Sequence, residues 1–360
     1  MERIKLENFR CFKDFTMMFK PGVNLLIGDN ATGKTSLLQG VKIALSSFFT
    51  GFTDERTRFL GIASDDFLYN GYDGAVRPAQ ITFDSDGFFN QRLTRNGKNS
   101  KTVTSGIYEF KQFGKTKMAV LEANNEKRIS LPLLASFSTE DIHSSRKLSI
   151  EQFRKKNLSP AFGYYECLQS DGLLPYWIRR LMVLNASEGS DNVEVRSVKL
   201  AARTVLGTSG CDFFSDLVID SIRGLVCFQT KDGRLIMSDY LSDGFRRVVN
   251  LVVDLAFRCT ILNKHLYGYE ACMRTLGTVL IDEIDQHLHP FQQACLMRGL
   301  HVAFPQLQFI VTTHSTVAID SVEVGGFGMA CKMEYADGDY YYYPVRVKEN
   351  NEEAQSVKLF

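Results

Sequence analysis

A lysine and a threonine placed directly behind a spaced pair of glycines carry the most chemistry in this chain: Gly28-Asp29-Asn30-Ala31-Thr32-Gly33-Lys34-Thr35 reads G-x-x-x-x-G-K-T. In such a string the glycines let the backbone curl so that its N–H groups point at phosphate oxygens, and the N-terminus of the following helix adds its positive dipole end. Lys34 is placed to reach the β- and γ-phosphates, and the Thr35 hydroxyl to hold Mg²⁺. Asn30, Ala31, Thr32, Gly33 and Ser36 make up the rest of the cradle. The string predicts a nucleoside triphosphate site.

Three further constellations suit that site. Val279-Leu280-Ile281-Asp282-Glu283 is an apolar strand ending in two carboxylates, which a parallel sheet delivers to its carboxyl edge. There Asp282 would complete the Mg²⁺ shell with Thr35, and Glu283 would polarise an attacking water. Phe309-Ile310-Val311-Thr312-Thr313-His314 is a second apolar strand, ending in an imidazole beside those acids. Leu241-Ser242-Asp243-Gly244 opens a helix, with Ser242 as a natural N-cap and Gly244 leaving the helix N-terminus open to an anion. Taken singly, each has a plain structural meaning as well: a solvated strand end, a satisfied histidine, a capped helix. The pair His287 and His289 beside the acids resembles a zinc-binding fragment, but residues two apart do not share a helix face.

The elements that must position these residues are legible around them. Val23–Ile27 reads as a buried strand entering the glycine-rich loop, and Thr35–Phe49 as the helix leaving it. Met1–Phe19 alternates as a strand pair would. Gln80–Phe83 and Phe88–Thr94 flank the hairpin turn Asp84-Ser85-Asp86-Gly87, and Gly224–Phe228 and Arg234–Met237 flank Lys231-Asp232-Gly233. Residues Ser105–Glu126 suit a helix and Leu131–Phe137 a short strand. Phe245–Leu262 is apolar on all sides, the mark of a buried helix. A hairpin over Met329–Tyr335 and Tyr340–Val347 follows. These divide the chain into 1–138, an N-terminal lobe with the phosphate loop; 139–221, a helical insertion; and 222–360, a C-terminal lobe. The fold class expected is α/β.

Bulk properties allow this and narrow it little. At 360 residues and 44% hydrophobic the chain can bury a full core, and its length suits two or three domains. A net charge of +1 gives no global case for nucleic acid, so any basic surface must be local, as at Arg154-Lys155-Lys156 or Arg179-Arg180. The eight cysteines are scattered without a C-x-x-C pair and read as reduced, mostly buried thiols. No apolar run approaches the ~20 residues of a membrane span, and the N-terminus enters a strand without a signal peptide. A soluble, cytoplasmic protein with no membrane partner is expected.

The order phosphate loop, L-S-x-G, D-E strand, strand ending in His resembles that of the ABC ATPase head. With Leu6-Glu7-Asn8-Phe9-Arg10-Cys11-Phe12 at the start and Asp282-Glu283 through His287-Leu288-His289-Pro290, the chain looks like the SMC/RecF/OLD-type ATPases. More narrowly, Leu131–Ala135, Gly163–Leu168 and Leu241–Arg247 are similar to stand-alone ATPases of bacterial anti-phage systems such as Septu. The resemblance implies a P-loop NTPase: an ABC ATPase head with an antiparallel β subdomain and a helical insertion. It implies ATP and Mg²⁺ as ligands and hydrolysis as the activity. Each ATP would be sandwiched between the P-loop of one protomer and Ser242 and Gly244 of another, which implies a homodimer or higher even oligomer. His314 would be the switch histidine, Asp285 would lie in the loop crossing the interface, and Arg10 would be a nucleotide contact. Under this resemblance the two histidines at 287 and 289 belong to the ATPase pattern rather than to a metal site.

Departures from the family qualify the reading. Ala31 stands where the family usually has Gly, and the loop is expected to form with that residue in an ordinary backbone conformation. No glutamine follows the Leu131–Phe137 strand, and the insertion lacks the long heptads of SMC arms. The stretch after His314 is too short for the nuclease domain of OLD proteins, so a separate nuclease or toxin effector is expected. The leading expectation is the ATP-hydrolysing sensor or regulatory subunit of an anti-phage complex. The alternatives are a RecF-like DNA-repair clamp, which would bind nucleic acid, and an ATP-bound scaffold with little turnover.

Overall fold

The computed structural model describes residues 1–71, 74–123, 129–138, 150–169, 173–207, 210–220, 222–286, 288–316, 318–319, 322 and 325–345. His287, the end of the helix expected to Glu126 and the end of the strand expected to Val347 lie outside the described residues.

Alternation of Ile4 and Leu6 with charged neighbours, then of Phe12, Phe15 and Met17, makes the antiparallel pair β1 (Arg3–Phe9) and β2 (Phe12–Met18). β3 (Val23–Ile27) is buried at every position and runs through the glycine-rich loop into α1 (Lys34–Ser46). A small bridge pairs β4 (Tyr69–Asn70) with β5 (Gly74–Ala75). β6 (Ala79–Ser85) and β7 (Phe88–Arg95) form the expected hairpin, and β8 (Val103–Gly106) adds an edge, giving a five-stranded sheet in the order β2-β1-β6-β7-β8. Because Val103–Gly106 pairs with β7, the next helix, α2 (Tyr108–Glu122), starts later than its sequence pattern suggests.

β9 (Leu133–Phe137) leads into the helices α3 (Ile150–Arg154), α4 (Leu174–Glu188) and α5 (Val193–Leu206). A three-stranded sheet follows, of β10 (Phe214–Asp220), β11 (Leu225–Thr230) and β12 (Leu235–Met237) in that order. Then come the 25-residue α6 (Asp243–Tyr267), α7 (Ala271–Arg274), β13 (Gly277–Ile281), α8 (Pro290–Ala303), β14 (Leu307–Thr313), β15 (Gly328–Ala336) and β16 (Asp339–Pro344). The central sheet is six-stranded, β16-β15-β3-β14-β13-β9, and parallel from β15 to β9.

Helix α1 lies between this sheet and the antiparallel one. Gly40 permits the contact: a Cβ there would stand 2.7 Å from a methyl of Leu6. The helical region is tied to α6 by buried ions rather than apolar packing alone. Arg180, fully buried, forks onto Glu194 at 2.6 and 2.8 Å, and Lys264 of α6 joins the same carboxylate at 2.6 Å. Arg180 is therefore a core cation, not half of the surface basic patch that its neighbour Arg179 suggested. A second pair, Arg258 with Asp254, also takes the Trp177 indole N–H on Asp254 at 2.6 Å and the carbonyls of Gly163 and Tyr165, each at 2.9 Å. All eight cysteines are free thiols, and six of them are buried. Among the described residues no helix is long and apolar enough to cross a membrane.

Candidate functional site

Parallel register brings the predicted residues to one edge of the sheet. Ile27 of β3 pairs with Thr313 of β14, and Val311 of β14 pairs with Ile281 of β13. The glycine-rich loop, His314 and Asp282-Glu283 leave adjacent strands at the same end, with β14 between the other two. In this loop Lys34 folds back, its ammonium donating to the carbonyls of Gly28 and Asp29 at 2.7 Å each, while the Thr32 hydroxyl donates to Asp29 O at 2.9 Å. Burial pulls the Lys34 pKa below its ordinary value, against the opposing pull of Asp282, Glu283, Asp29 and Asp285. Gly33 sits at φ 88° and caps α1. Ala31 departs from expectation: it lies at φ 66°, in the left-handed region rather than an ordinary conformation. The loop closes at this position as it would around a glycine, with the strain carried by an alanine.

The two halves of the site meet at a carboxylate. The Thr35 hydroxyl donates to Asp282 Oδ2 at 3.1 Å, and the Thr312 hydroxyl donates to Asp282 Oδ1. Thr312 Oγ1 also accepts the Glu283 N–H at 2.8 Å, and Glu283 takes φ 49°. This turn aims the Glu283 carboxylate so that Oε2 accepts from Gln286 Nε2 at 2.8 Å and Oε1 lies 3.9 Å from His314 Nε2. Both Asp285 oxygens accept the His314 backbone N–H at 3.3 Å. Arg247 of α6 donates to the Asp282 carbonyl and, at 3.5 Å, to Gln286 Oε1. Burial lowers the Arg247 pKa while the nearby acids Glu283, Asp282 and Asp285 oppose it.

The remaining predicted residues are placed as follows. Arg10 takes φ 51° in the β1–β2 turn, and its Nε donates to the buried Asp66 at 2.7 Å. The next residues of this turn, Cys11 and Phe12, underlie Gly33, whose Cβ would meet the Phe12 ring at 2.7 Å and Cys11 Sγ at 3.3 Å. Ser242 is the N-cap of α6 and, like Asp243, is exposed; its side chain makes no capping hydrogen bond. Gly244 is buried beneath them. Among the described residues no cluster of His, Cys, Asp and Glu suits a metal ion on its own.

Thr312, Gln286 and Arg247 were given no role from sequence. The signal for Thr312 was a hydroxyl directly after the apolar run Phe309–Val311, in a strand bound for the site. Gln286 and Arg247 depend on a loop fold and a helix orientation that no local pattern encodes.

Two family descriptions match the chain: "AAA domain" over residues 3–173, and "AAA domain, putative AbiEii toxin, Type IV TA system" over residues 106–320. The chain is 25% identical to a retron Vc95 probable ATPase of Vibrio cholerae serotype O1 biovar El Tor, across 89% of this chain and 71% of that protein. It is 24% identical to the Septu protein PtuA of Bacillus mycoides (strain KBAB4), across 89% of this chain but only 38% of the relative. Its fold is that of the Smc head domain with an extended coiled coil from Pyrococcus furiosus, solved bound to the C-terminal domain of ScpA. That match has a TM-score of 0.52 at 13% identity and covers 96% of each chain.

Proposed function

We infer that this chain, which belongs to the AAA-domain family whose description spans residues 106–320, is an ABC-type ATPase that hydrolyses ATP in a site completed by a second copy. The observation that carries this reading is the Thr35–Asp282–Thr312 chain of hydrogen bonds, which locks the phosphate loop to the acidic strand across β14. Lys34, now bonded to its own loop, would exchange two carbonyls for phosphate oxygens. Thr35 and Asp282 present the hard oxygen donors that Mg²⁺ takes, so the residues fit that ion. When bound it would neutralise charge between the β- and γ-phosphates. Glu283 is the candidate base for the attacking water, held by Gln286 on one oxygen and facing His314 with the other. Ser242, exposed with an unused hydroxyl at the start of α6, suits the γ-phosphate of a neighbouring protomer.

The likeness to retron and Septu proteins, together with the toxin-system family description, supports a place in anti-phage defence. In this reading the ATP-held dimer is the regulatory element and a separate effector protein is restrained or released according to nucleotide state. The test is a pair of variants of the full chain. Lys34→Ala should abolish ATP binding. Glu283→Gln should keep binding, lose phosphate release by about 10²–10⁴-fold, and accumulate a dimer in light scattering when ATP is present. Wild-type turnover in Glu283→Gln would refute the assignment.

A further inference from the structure

The phosphate half of the site leaves open what meets the other end of the nucleotide. We infer that Tyr335, on the β15–β16 hairpin and backed by Tyr340, is the stacking surface for the base of the nucleotide held in the phosphate loop. This deepens the triphosphate reading of Gly28–Thr35 and rests on it.

The hairpin runs directly beside the phosphate loop. β15 pairs with β3 as far as Lys332 opposite Ile27, and then continues past the carboxyl edge of the sheet alongside the loop. Its approach is close: a Cβ on Gly28 would stand 2.6 Å from the Met333 carbonyl oxygen. Two residues on, and on the same strand face as Met333, comes Tyr335. Its register partner is Tyr340, with ring centroids 4.8 Å apart.

That face is turned toward the start of α1. Tyr340 meets Phe12 edge-on at 5.0 Å. Phe12 and Cys11 are the residues that underlie Gly33, the N-cap of α1. A ladder of rings, Phe12, Tyr340 and Tyr335, therefore climbs from the phosphate cradle toward solvent. The first ring is fully buried and the last is 55% exposed. Tyr341 and Tyr343 point to the opposite face with Lys332 and Glu334, the Tyr343 hydroxyl donating to Glu334 at 2.8 Å. A large exposed aromatic held in place from behind, next to an anion cradle, is the arrangement that stacks a base, and every base has a face to stack.

The test compares ATP with inorganic tripolyphosphate, which has the phosphates and no base, by calorimetry on the full chain. Tyr335→Ala should weaken ATP about tenfold (about 1.4 kcal/mol) and leave tripolyphosphate unchanged. Tyr335→Phe should restore ATP affinity, because the ring and not the hydroxyl does the stacking. Equal effects of Tyr335→Ala on both ligands, or none on ATP, would overturn the inference while leaving the phosphate site standing. Failure of the unaltered chain to bind either ligand would overturn the triphosphate reading and this inference with it.

Discussion

Ser242→Ala separates a helix cap from a catalytic group, because the structure gives the two roles different signatures. Truncating an N-cap serine normally costs about 1 kcal/mol, through the hydrogen bond its oxygen accepts from the first turn. Ser242 makes no such bond and is exposed, so the stability loss should be only about 0.3 kcal/mol, the level of an ordinary surface change. A hydroxyl donating to a γ-phosphate is a hydrogen bond to a charged group, worth about 1.5–3 kcal/mol, so hydrolysis should fall roughly 10- to 150-fold. Thermal unfolding without nucleotide and steady-state phosphate release measure the two quantities on the same preparation. Mixing Ser242→Ala with Lys34→Ala chains then asks where the serine acts. In a two-fold dimer each mixed pair has one intact site, so about a quarter of wild-type activity should return. A variant that loses about 1 kcal/mol of stability with unchanged hydrolysis, or a mixture that stays inactive, would refute the shared site.

Two further outcomes follow from the core and the loop. Burial alone pushes the Glu194 pKa up, but Arg180 and Lys264 outweigh it and hold the carboxyl below its ordinary 4.5. Its stabilisation is therefore present above 4.5 and is lost as pH falls through the lower folded value. Glu194→Gln should cost about 3–5 kcal/mol at neutral pH, and urea unfolding below pH 4.5 should show that deficit narrowing; an equal deficit at both pH values rejects the pairing. Ala31→Gly should remove about 1–2 kcal/mol of left-handed strain, less about 0.4–1 kcal/mol from the freer unfolded chain. The net is a small gain in equilibrium stability with ATP affinity unchanged, and a loss of stability would contradict the φ of 66°.

The site was legible in sequence where chemistry and local geometry coincide. The glycine-rich loop, the two acids and His314 each end an apolar strand, so the strand pattern alone carries them to a sheet edge. The conformation of Ala31 was not legible, because a string records which residue sits in a loop and not which torsion its neighbours impose. Arg180 misled for a related reason: beside Arg179 it looks like surface charge, and its partner Glu194 lies on the next helix. Arg247 reaches the Asp282 carbonyl only through tertiary placement, and Gln286 meets Glu283 through the turn between them, whose shape the residue types alone do not specify. The long buried helix was predicted, but the polar residues Asp254 and Arg258 inside it became intelligible only with Trp177 and the 163–165 carbonyls in view.

β3 is flanked by β14 and β15, both of which come nearly the whole length of the chain after it. As the polypeptide emerges during synthesis, its most conspicuous motif is made early and then waits, with both edges of its strand unpaired, until almost all the rest has followed. Such long-range pairing makes for slow folding and leaves an apolar edge open to other chains in the interval.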